Sequence, residues 1–201
     1  MKVKANPRHP FFLAELRRAA TPFSKWSGIV FRAAPLEFSR LAKLLDGKGG
    51  WKMGGRWLAP QTFLSMNFST TPETALNESS ANFGCYNCGL GDVSPRVAVG
   101  VRLHLTRAID LTNPRGVRSQ PWFSLDDLLA EDWRKINDAG GESLSQAFGR
   151  AARDAGAEAI MVPSARVPNG VNTVYFPAKT LTPAGLKILG AKELARWLKK
   201  R

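Results

Sequence analysis

Apolar and polar residues alternate most cleanly between Val97 and Leu105, where Val97, Val99, Val101, Leu103 and Leu105 are separated by Ala98, Gly100, Arg102 and His104. A period of two predicts a strand with one face in the core. His104 falls on the other face, where a lone histidine is more often a surface or hydrogen-bonded residue than a catalyst. A helical period governs Ser143 to Ala155, with Leu144, Ala147, Phe148, Ala151, Ala152 and Ala155 in one stripe and Arg150, Arg153 and Asp154 facing out. Gly156 ends it. Weaker helical spacing predicts helices over Phe11–Ala20, Pro35–Leu45, Ser124–Ala130 and Pro183–Trp197. Short apolar runs predict strands over Gly28–Ala33, Thr62–Ser69, Ala159–Val162 and Val171–Phe176.

Local punctuation adds detail. Thr70 stands three residues before Glu73, the spacing of a capping box, and Pro72 between them suits a first helical turn. The helix expected from Pro72 to about Phe83 carries Glu78 on a face shared with the small or short residues Thr74, Ala75, Ala81 and Asn82, which leave the carboxylate open to a ligand. From Gly47 to Arg56 five glycines predict a loop. It lacks the Gly-x-x-x-x-Gly-Lys-Ser/Thr pattern of a nucleotide triphosphatase, so it reads as a flexible basic loop that delivers Arg56. Met1–Pro10 reads as a loose basic arm, and the stretch from Asp110 to Gly141 as loop-rich.

Length and charge narrow the classes. A chain of 201 residues that is 44% hydrophobic and 22% charged suits one folded domain. No apolar run approaches the ~18 residues of a membrane span. The short run Pro10–Ala14 is broken by Glu15, Arg17 and Arg18, so no secretory signal is read and the cytoplasm is expected. Cys85 and Cys88 form a lone Cys-x-x-Cys; His9 and His104, both distant in sequence, are the only histidines to complete a zinc site, and no metal is expected. Of the net charge of +13, residues 1–60 supply 12 basic against 3 acidic side chains and residues 183–201 supply 6 against 1. Basic ends of this kind attract a polyanion or an acidic protein, or simply keep the surface solvated.

Four islands are unusual for packing alone: Phe31-Arg32 on a strand, Gly54-Gly55-Arg56-Trp57 after the glycines, Glu78 on a helix, and Pro163-Ser164-Ala165 followed by Asn172. Each has a bland reading by itself: a structural ion pair for Arg32, a solvated carboxylate for Glu78, a turn residue for Ser164. Together they suit the cleavage of an N-glycosidic bond in a pyrophosphate-bearing substrate. A carboxylate stabilises the oxocarbenium-like sugar, and arginines bind the phosphate oxygens while keeping their charge.

The order and content of these islands resemble the RES domain, a family named for its arginine, glutamate and serine. The motifs are Gly-Gly-Arg-Trp, Thr-Pro-Glu-Thr-Ala-Leu-Asn-Glu, Gln146 with Gly149, and Val-Pro-Ser-Ala with Asn172. The resemblance implies an α+β fold, a split β-sheet core with flanking helices like that of ADP-ribosyltransferases, spanning about residues 28–182. Residues 1–27 would be a basic extension and 183–201 a basic C-terminal helix. It implies a toxin that releases nicotinamide from NAD+, with water or phosphate as acceptor; NAD+ is substrate and an Xre-type antitoxin the partner, with homo-oligomers possible in the family. Glu78, Ser164 and Arg32 would be catalytic, and Arg56, Asn67, Phe68 and Asn172 would bind the dinucleotide. Asn67 stands where the family usually has a tyrosine, so a neighbouring phenylalanine takes the aromatic contact or activity differs. ADP-ribose transfer to a macromolecule, or non-enzymatic binding of nucleic acid by the basic ends, are the alternatives.

Overall fold

The computed structural model describes residues 3–19, 22–81, 95–177 and 186–199. Its axis is the alternating stretch found in the sequence, which forms strand β3 (Arg96–Asp110). Val99, Val101, Leu103 and Leu105 are buried and His104 is exposed, so the period of two reads out directly as core and surface. Strand β1 (Ser24–Pro35) lies antiparallel along nearly the whole of β3, from Trp26 opposite Leu105 to Pro35 opposite Arg96. It is longer than the six residues expected because β3 offers it a partner for that length.

The other edge of β3 is shared. Strand β6 (Leu186–Ile188) pairs antiparallel with Val101–Leu103, and strand β4 (Ala159–Pro163) pairs parallel with Ala108–Asp110. The sheet splits between them, and Glu158 occupies the gap: its Oε2 accepts from the Thr106 and Arg107 backbone N–H groups at 2.6 and 2.9 Å. Strand β5 (Val171–Tyr175) follows β4 antiparallel, and β2 (Met66–Ser69) follows β5. A single pairing, Phe31 with Ser69, then returns β2 to β1, so β1-β2-β5-β4-β3 closes into a ring.

Each face of this sheet has its own core. On one, Val30, Leu44, Met66, Phe68, Val101, Leu103 and Tyr175 pack together. On the other, Ile160, Val162 and Val174 meet helix α1 (His9–Arg18) through Phe12 and Leu16, and helix α7 (Leu144–Asp154) through Phe148 and Ala151. The expected α7 is present. Ser143 and Gln146 close its capping box, and Gly156 at φ +93° ends it. Layers of helix on sheet thus match the α+β expectation, and no helix among the described residues is long and apolar enough to cross a membrane.

Several local expectations are corrected. The N-terminal arm is anchored: Lys4 bridges Gly141, and the Asn6 N–H donates to Glu142, whose buried carboxylate also grips Arg150 through paired bonds of 2.8 and 2.6 Å. The helix expected over Pro35–Leu45 is broken into a 3-10 turn (Leu36–Phe38) and α2 (Leu41–Leu44), and Leu44 is drawn into the core with Leu45 packed against it. The glycine-rich stretch is mostly helix α3 (Lys48–Met53), bounded by Gly47 and Gly54 with φ near +67°. Gly50 is needed for contact rather than flexibility: a Cβ there would sit 2.7 Å from Ser65 Oγ. The loop-rich stretch contains the expected helix, α5 (Leu125–Ala130), capped by Ser124, and an unforeseen α6 (Trp133–Asp138), capped by Asp132. At the end, β6 and α8 (Ala191–Leu198) replace one long helix, since Gly190 in the left-handed region turns the chain between them.

Tyr175, buried on β5, carries a phenol pushed up to about 12, first by burial and then by the charge of Glu158. A pKa raised in the folded state stabilises fully below the unfolded value near 10 and is lost as pH rises through about 12. Denaturation midpoints measured from pH 9 to 12 should therefore fall by an amount worth roughly 2–3 kcal/mol, and Tyr175→Phe should remove that part of the decline.

Candidate functional site

Helix α4 (Pro72–Ala81) leaves β2 by a tight turn. Pro72 takes the first helical position, so Thr71 is the cap: its Oγ1 accepts the Thr74 N–H at 3.1 Å. The expected Thr70–Glu73 box is thus displaced by one residue. The buried Thr74 side chain meets the β4–β5 turn, where a Cβ on Gly170 would lie 2.9 Å from Thr74 Oγ1. That contact fixes the height of α4 over the turn.

Glu78, one turn further along α4, is the point where three elements meet. Ser164, just past β4, donates from Oγ to Glu78 Oε1 at 2.6 Å, and Asn172 on β5 donates from Nδ2 to the same oxygen at 2.7 Å. Ser164 Oγ also accepts the Arg166 and Val167 N–H groups at 3.1 Å each. With both lone pairs so engaged, its single proton is directed at the carboxylate. Asn172 is oriented from behind by Ser69, whose Oγ donates to Asn172 Oδ1 at 2.7 Å across the β2–β5 ladder. Glu78 Oε2 has no hydrogen bond among the described residues, and the half-buried side chain can offer it to a ligand. One oxygen is held and the other is available.

The remaining predicted residues lie around this centre at different removes. Arg32 leaves β1 on the face opposite Phe31 and Ser69, and its guanidinium donates to the carbonyls of Leu44 (2.7 Å) and Asn67 (2.9 Å). The second of these bonds ties it to the β2 backbone, not to Glu78. Burial lowers its pKa, partly opposed by Asp46. Asn67 is exposed and shares a recess of about 30 Å³ with Gly54, Gly55 and Arg56. Arg56 itself donates to the carbonyls of Leu129 and Glu131 at 3.1 and 3.2 Å, closing the C-terminal end of α5. Its pKa is lowered by burial and by Arg134, with Asp132 opposing. Phe68 is corrected: it points to the other face from Asn67, is 1% exposed and packs edge-on against Tyr175, so it offers no ring to a ligand.

The loop bearing Arg56 is set by α7. Fully buried Gln146 donates from Nε2 to the Gly55 carbonyl at 2.8 Å, and a Cβ on Gly149 would fall 2.0 Å from the Trp57 carbonyl oxygen. Residues three apart on one helix face thus hold Gly-Gly-Arg-Trp in place. Trp57 is buried beneath the loop, edge-on to Phe148. Cys85, Cys88 and the expected end of α4 lie outside the described residues.

The RES domain model matches residues 29–195. The chain belongs to the RES family. A chain in a crystal structure of the M. tuberculosis MbcT-MbcA toxin-antitoxin complex is similar in fold, at 20% identity and a TM-score of 0.66, over 95% of this chain and 97% of that one. No curated protein sequence matches the chain. Within this RES domain, Ser69, Thr71 and Gly170 escaped the sequence reading. Ser69 is visible only through strand register, which sequence spacing does not give; the signal for Thr71 was Pro72 beside it.

Substitutions can separate these supports. Ser69→Ala should cost about 1 kcal/mol and Ser164→Ala more, since Ser164 makes three bonds. Urea denaturation of both variants checks the order. Gly149→Ala should destabilise by about 1–3 kcal/mol or more through overlap with Trp57, whereas Gly49→Ala, which meets nothing within 4 Å, should be neutral or slightly stabilising.

Proposed function

We propose that the chain breaks the bond between nicotinamide and ribose in NAD+, with water or phosphate as acceptor. The observation that carries this reading is the Glu78 carboxylate, held by Ser164 and Asn172 on one oxygen with the other open. As the C–N bond breaks, its electron pair passes to the ring nitrogen, and nicotinamide leaves as a neutral molecule. No strong general acid is required. The ribose is left with oxocarbenium character, which the carboxylate stabilises, and an oxygen of water or phosphate then bonds to the sugar carbon and gives up its proton to Glu78 or solvent.

Ser164 acts in this reading by fixing Glu78, because its only proton is already committed there. Asn172 does the same from the strand side. Arg32, Arg56 and Asn67 supply positive potential and polar groups toward the pyrophosphate. Arg32 is hydrogen-bonded by neutral carbonyls, with Asp46 as the acid that acts on its charge. Membership of the RES family and the toxin-antitoxin context of the similar structure support a toxin with a protein antitoxin, for which the basic chain ends suit an acidic partner surface.

Purified protein incubated with NAD+, with and without phosphate, should release nicotinamide, and the phosphate dependence identifies the acceptor. Glu78→Gln should lower the rate by at least about 100-fold with an unchanged circular dichroism spectrum. Absence of release from folded wild-type protein under both conditions would sink the proposal, and transfer of adenylate label to protein or nucleic acid would redirect it to ADP-ribose transfer.

A further inference from the structure

An apolar cleft lies at the far end of the segment that leads into β2. It is an open groove of about 510 Å³ lined by Lys48, Trp51 and Lys52 of α3 together with Phe63 and Leu64. That volume is within the range of small-molecule sites. Lys48, Trp51 and Lys52 are spaced by three and four residues, which places them on one face of α3. Trp51 is 41% exposed, a large apolar surface to leave in water. Neither lysine forms an ion pair with any described residue, and the acid nearest in sequence, Asp46, caps the Lys48 backbone N–H instead. Phe63 closes the floor, backed by Phe176 and by the Arg153 guanidinium 4.9 Å from its ring, which is itself paired to Asp154.

A flat aromatic surface beside two compact cations matches a nucleobase joined to a phosphate. Bases stack on aromatic side chains irrespective of their edge pattern, and lysine meets phosphate as a point charge. The location favours one nucleotide in particular. From Leu64 to Ser69, the residue that orients Asn172 behind Glu78, the chain spans no more than about 18 Å, with exposed Asn67 between. We infer that this cleft takes the adenylate end of NAD+, with adenine on Trp51 and phosphate against Lys48 and Lys52. This inference rests on the NAD+ reading for its choice of dinucleotide, but the cleft's affinity for adenylate can be measured without any turnover.

The test is titration calorimetry of the full chain with AMP and, separately, with adenosine. AMP should bind wild-type protein, Trp51→Ala should weaken it roughly 5- to 150-fold, and Trp51→Phe should restore most of the affinity. The Lys48→Glu/Lys52→Glu variant should lose the preference for AMP over adenosine, and the KM for NAD+ should rise in Trp51→Ala. Failure of AMP to bind, or equal binding by wild type and Trp51→Ala with folding verified by circular dichroism, overturns the inference. A single-stranded oligonucleotide that binds through Trp51 when AMP does not also overturns it, in favour of a nucleic-acid surface. AMP binding through Trp51 without nicotinamide release supports the adenylate cleft and counts against the cleavage reading alone.

Discussion

Two donors on a single oxygen of Glu78 tie together elements far apart in the chain. Without them α4 would be linked to the β4–β5 turn mainly by the contact of Thr74 with Gly170. With them, a helix, a strand and a turn share one carboxylate. Both donors are neutral, so they orient the carboxylate without cancelling its charge. A salt bridge in the same place would have held the side chain as firmly and left less negative potential for a cationic sugar.

The cations are disposed by a complementary rule. Arg32 and Arg56 are satisfied by backbone carbonyls, those of Leu44 and Asn67 for one and those of Leu129 and Glu131 for the other. Carbonyls fix a guanidinium in space while leaving its unit charge intact, and burial disfavours that charge enough to lower both pKa values without removing it. The anion on α4 is thus anchored by neutral donors, and the cations on β1 and after α3 are anchored by neutral carbonyls. This arrangement suits a substrate carrying a positive leaving end and a negative middle.

What the sequence made legible was whatever depended on local period. The alternation in β3 and the stripe on α7 gave strand, helix and buried face, and the ordered islands brought out Glu78, Ser164 and Asn172, which do converge. Strand register and close backbone approach were hidden. Ser69 matters because it faces Asn172 across a ladder, and Phe68 is a core residue because the same ladder turns it away. The five glycines between Gly47 and Arg56 suggested mobility, whereas contact of Gly50 with Ser65 makes that stretch a packed helix. Glycine allows both, and only the neighbour's position tells them apart.

The split edge of β3 carries a last consequence. Where two strands share one edge, the exposed donors between them would ordinarily recruit another chain. Glu158 takes up those donors with its carboxylate, and its own backbone N–H donates back to the Arg107 carbonyl at 2.8 Å. One residue thus imitates a strand across the opening. The donors at that opening are thus already taken by a carboxylate within the chain, which leaves them no free edge to offer a foreign strand.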